Sequence, residues 1–143
     1  MALSTILSRL ETACATMSGV ATVRIPASER PLQDTQLPAI VSDPISFDIS
    51  PSTMSVWDYD IPLFYLHAER STDSETQLNA IADKPKALVD VLNANVTLAG
   101  AVYGMAFDSP SGEFGAIPWR DKTYTGFSIR LRLKEKYATT FAG

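Results

Sequence analysis

Apolar residues recur at spacings of three and four from the start of the chain: Leu3, Ile6, Leu7, Leu10, Cys14 and Met17. That period places them on one stripe of a helix over about 2–17, with Ser4, Arg9, Glu11 and Thr12 mostly off it. Ser18-Gly19 ends the helix, because glycine takes the left-handed cap conformation cheaply. Residues 20–25 suit a short strand that Pro26 stops. Residues 26–38 are polar and punctuated by Pro26, Pro31 and Pro38, which predicts a long loop.

Two extended segments come next. In 40–49, Ile45, Phe47 and Ile49 alternate with Ser46 and Asp48. After a turn at Pro51-Ser52, residues 54–68 form the second. Its centre, Ile61-Pro62-Leu63-Phe64-Tyr65-Leu66, is apolar on both faces, as a strand covered on both sides would be. Pro62 removes one ladder hydrogen bond from it. The preceding Trp57-Asp58-Tyr59-Asp60 alternates instead and puts both aspartates on one face.

Leu78, Ile81, Pro85, Leu88, Val91 and Leu92 hold one helical phase up to about Asn95, after a cap at Thr72 or Asp73. Pro85 inside that phase predicts either a kink or a break at Asp83 that restarts the helix. Residues 98–107 read as a strand. The turn chemistry of Asp108-Ser109-Pro110-Ser111-Gly112 predicts a second long loop over 108–121. The closing strand, 123–134, ends in the fault-free alternation Phe127-Ser128-Ile129-Arg130-Leu131-Arg132-Leu133-Lys134, and 137–143 is a tail. This order predicts one small α+β domain over 1–143, α-β-β-α-β-β, with helices on one face of a mainly antiparallel sheet.

Composition narrows the function classes. A chain of 143 residues can bury roughly 68–70% of its unfolded surface in one core. The hydrophobic fraction of 45% and mean hydropathy of +0.03 belong to an ordinary globular protein. A net charge of −4 and a pI near 4.9 speak against broad phosphate binding. One cysteine excludes an internal disulfide and suggests a reducing compartment. The first ten residues have no signal-peptide pattern, and no run approaches the ~20 apolar residues a membrane helix needs. A soluble, non-exported product is expected.

Catalytic chemistry finds little support. His67 is the only histidine, lies in an apolar strand and has no nucleophile motif near it. One His and one Cys cannot complete a zinc site. Cys14 on an apolar stripe reads as a small buried hydrophobe. Asp58 and Asp60 read as a charged strand face or a contact to basic groups on a neighbour. Gly112-Glu113-Phe114-Gly115 lacks the lysine and following helix of a phosphate loop. Arg130, Arg132 and Lys134 form either a basic strip facing an acidic partner or nucleic acid, or a solvated strand face. Phe114, Ile117 and Trp119 are large and apolar in a segment expected to be loop, so they either meet a partner or fold back onto the core.

The layout resembles the tail terminator (tail completion) proteins of long-tailed bacteriophages. The resemblance spans nearly the whole chain. It rests on the opening helix, the extended pair, the second helical stretch and a hairpin from Val102 to Lys134. Asp60-Ile61-Pro62-Leu63-Phe64-Tyr65-Leu66 and Thr123-Tyr124-Thr125-Gly126-Phe127-Ser128-Ile129-Arg130-Leu131 carry most of it. It implies a non-enzymatic virion protein, made in the bacterial cytoplasm, that needs no cofactor or metal and binds no membrane. Subunits would form a homohexameric ring that caps the tail tube, stops its polymerisation and presents a joint to the head-completion protein. DNA would pass through without specific binding. Trp57, Phe114, Ile117, Trp119, Arg130 and Arg132 are the expected interface residues, with the loops 26–38 and 108–121 carrying docking contacts. A head-closure, connector or minor tail protein of the same neck is the alternative. A small ligand-binding or enzymatic domain is a third reading, which requires convergent polar groups in a pocket.

Overall fold

The computed structural model describes residues 3–25, 32–43, 45–49, 56–70, 74–94 and 104–136. Outside them fall the first part of the 26–38 loop, the Pro51-Ser52 turn, the Thr72/Asp73 cap, Asn95, the start of the 98–107 strand and the 137–143 tail. The elements are α1 (Leu3–Ala15), β1 (Thr22–Arg24), β2 (Ala39–Val41), β3 (Ser46–Ile49), β4 (Val56–Glu69), α2 (Ser74–Ala80), α3 (Lys84–Asn93), β5 (Gly104–Trp119) and β6 (Lys122–Lys136). The expected α+β class is therefore observed, with a finer division than the six-element order. Four strands precede the second helical stretch rather than two.

The six strands of the described residues join one mixed sheet in the order β1-β2-β4-β6-β5, and β3 pairs with β4 beyond the end of β2. Among the described strands only β1 and β2 are parallel. The segment 40–49 thus breaks into two strands along one side of β4. β2 lies opposite Phe64 to Leu66 and β3 opposite Trp57 to Asp60. Pro62 sits at the level between them, where no strand of the described residues flanks β4 on that side.

Period-2 alternation sorts the two faces. Tyr59, Ile61, Leu63 and Tyr65 of β4 and Phe127, Leu131 and Leu133 of β6 point to the helix face. There they pack with Ile6, Leu10, Cys14 and Met17 of α1 and its last turn, and with Leu88 and Leu92 of α3. From Ile6 to Met17 the stripe read from spacing is the stripe that is buried. Gly19, at φ +86°, turns the chain out of α1. The second helical stretch breaks where Asp83 and Pro85 suggested: Ile81–Asp83 is a turn, and Pro85 falls in the first turn of α3, where its missing N–H is not needed.

The far face carries a second, smaller core. Phe64 and Leu66 of β4 meet Ala39 and Val41 of β2, Leu32 and Leu37 from the segment before it, and Ile117, Trp119 and Tyr124 of the β5–β6 hairpin. This is why the centre of β4 is apolar on both sides.

The expected loop 108–121 is corrected. Most of it is strand, because β6 supplies a hydrogen-bonding partner from Gly112 to Trp119. The turn-forming residues 108–111 are absorbed as a register shift inside β5, and the chain reverses only at Arg120-Asp121. The end of this hairpin curls over the far face, so that Trp119 reaches Phe64 with ring centroids 5.4 Å apart. Arg120 lies over the Trp119 ring at 4.6 Å and pairs with Asp43, beyond β2, at 3.1 Å. Gly115 stands opposite Gly126 in the hairpin. A Cβ on Gly126 would collide with the Tyr65 carbonyl, so only glycine fits at that position.

Candidate interface surfaces

The charged strip lies on the far face. In register, Asp60 stands opposite Arg132, and Pro62 opposite Arg130. Arg130 Nε approaches Asp60 Oδ1 diagonally at 3.0 Å, an ion pair without hydrogen-bond alignment. Arg132 is engaged as well. The strand arginines therefore face aspartates of the adjacent strand, and the surface is a mixed-charge ladder rather than a basic strip. Such a ladder does not attract phosphates as a basic groove would. The Lys134 side chain lies outside the described residues.

An aromatic row occupies the β3 end of the helix face. Trp57 is half-buried, stacked on Phe47 at 5.3 Å and followed by Tyr59 at 6.3 Å. Phe47 is 53% exposed, although it alternates as a core-facing strand residue would. Sequence reasoning missed it because alternation gives the face of a strand but not whether anything covers that face. Two alternating strands with only two helical stretches to cover them were the available hint.

Of the three apolar residues in the former loop, only Phe114 is exposed, at 48%. Ile117 and Trp119 are 2% and 6% exposed in the smaller core and contribute no docking surface. The one-residue alternation explains the split. Phe114 lies opposite Phe127 on the helix face, at the sheet's outermost strand, whereas Ile117 and Trp119 point to the far face.

A shallow groove of about 310 Å³ runs along the opposite edge of the sheet. Glu11, Thr12 and Ala15 of α1 form one wall, and Val20 to Val23 the other. Glu11 Oε1 accepts a 2.8 Å hydrogen bond from the Ile25 N–H. No reaction chemistry converges there.

The remaining candidates are placed as follows. His67 stands at a register shift in β4, half-buried, its Nδ1 without a hydrogen-bond partner. Burial, and then the positive charge of Lys84, lower its pKa below the ordinary histidine value. Burial, followed by the negative charge of Glu11, pushes the Cys14 thiol up to about 12, which leaves it protonated and unreactive at neutral pH. Among the described residues no three His, Cys, Asp or Glu side chains gather as a metal site requires, and no helix is long and apolar enough to cross a membrane. No protein-family model matches the chain, and comparison with curated proteins gives no significant match.

Proposed function

We propose that this chain is a non-enzymatic structural subunit of a bacteriophage neck, acting as a tail terminator. Copies form a ring, sit on the last ring of the tail tube, end its growth and offer a surface to the head-completion protein. One observation carries the reading. The sheet ends on both sides in strands with no outer partner among the described residues, and two outer strands carry exposed aromatic side chains, Phe114 on β5 and Phe47 on β3. A sheet with unpaired edges invites another chain, and a head-to-tail contact that closes on itself makes a ring. The mixed-charge ladder and the acidic total suit a channel wall along which DNA slides without sticking. The α+β layout resembling tail terminators supplies the position in the particle.

Native mass spectrometry and negative-stain imaging of the purified protein test this, alone and with tail tubes. A discrete ring species that attaches to tube ends is expected. A protein that stays monomeric at every concentration and ignores tube ends sinks the proposal. Attachment to filled heads rather than tubes would move the subunit to the head-closure position.

A further inference from the structure

One rung crosses the whole sheet: Val23 opposite Ile40, Ile40 opposite Tyr65, Tyr65 opposite Phe127, and Phe127 opposite Phe114. Its two ends are the exposed aromatic of β5 and the groove wall of β1. Residues directly opposite share a face, so Val23 and Phe114 both lie on the helix face. Strand directions also match. β1 and β2 run against β4, and β5 runs with it, so β5 of one copy lies antiparallel to β1 of a copy set beside it in the same orientation.

Main-chain groups at the two ends are turned outward. Thr22 donates to the Pro38 carbonyl, and the Arg24 carbonyl accepts from Ser42, so both bond inward to β2 and its flanks. Alternation turns Val23 outward. On β5, Trp119 and Lys122 flank a two-residue turn and form its hydrogen-bonded pair, which turns Phe114, Ala116 and Pro118 outward.

We infer that β5 of one copy adds antiparallel to β1 of the next, with Phe114 opposite Val23 and its ring in the groove between β1 and α1. This deepens the ring reading above, on which it rests, by naming the contact. The same register sets Glu113 opposite Arg24, an opposite-charge pair, and Gly115 opposite Thr22. It also puts Gly112, which has no side chain, opposite Ile25, whose outward N–H is already capped by Glu11. The cap stops the added strand from sliding further along β1. Phe114 gains a covered site against Thr12 and Ala15. Pro118, which lacks an N–H, lies beyond the short β1 and costs the contact nothing.

Five variants test the contact by native mass spectrometry, with circular dichroism to verify folding. Phe114→Asp is expected to weaken assembly at least tenfold while leaving the exposed edge folded. Glu113→Arg weakens it, and Glu113→Arg combined with Arg24→Glu restores it. Mixing Val23→Cys with Phe114→Cys under mild oxidation gives a cross-linked heterodimer that Val23→Cys alone does not. A Phe114→Asp protein that assembles like the unmodified one, with no cross-link in the mixture, overturns this contact and leaves the ring. An unmodified protein that never leaves the monomer overturns both.

Discussion

Gly126 has no room for a side chain, since a Cβ there would strike the Tyr65 carbonyl. Gly126→Ala should therefore cost at least about 3 kcal/mol in urea unfolding, or prevent folding. His67 makes a different prediction. Its folded pKa lies below the ordinary value, so between the two pKa values the unfolded chain binds the extra proton. Its contribution is complete above roughly pH 6.5, the unfolded value, and is lost as pH falls through the folded one. The melting temperature should drop less on acidification from about pH 7 to 5 in His67→Gln than in the unmodified protein. Most residue identities in the main core were legible because spacing fixes a face: the α1 stripe and the β6 alternation are buried as read. Phe47 was not legible, because exposure depends on what the rest of the chain places over a strand.

The helices and the hairpin show what local pattern can and cannot give. The break at Asp83 was readable because proline acts on its own neighbours. The extension of β5 through the expected loop 108–121 was not. Prolines, glycines and serines within 108–118 carry turn chemistry, and only β6, distant in its own pattern, draws them into a strand. α2 is held to this hairpin by a relay. The buried Thr125 hydroxyl donates to Gln77 Oε1 at 2.8 Å, and Gln77 Nε2 donates to the Glu69 carbonyl at 3.1 Å. Thr125→Val leaves the Gln77 oxygen without its donor and should destabilise by about 1–2 kcal/mol, with amide exchange accelerating first in α2.

Two unequal cores share one sheet, and their loss should be unequal as well. Trp119 joins the smaller core, packs against Phe64 and carries Arg120 over its ring. Trp119→Ala should cost about 3–5 kcal/mol in thermal or denaturant unfolding of the isolated subunit. Phe47→Ala, at a mostly exposed site, should change subunit stability by under about 1 kcal/mol. The fold class was legible as a whole because element types follow from period. The proposed contact was half legible. Phe114 was visible in sequence, but the groove at β1 exists only once α1 and β1 are brought side by side.

In the proposed contact the rung from Val23 to Phe114 makes each molecule a two-handed link, with one grip unlike the other. Links of that kind obey the competition familiar from linear condensation chemistry: dilution favours loops, and crowding favours open threads. In that proposed contact the angle between successive links decides between annular particles and filaments, long before any subunit loses its shape.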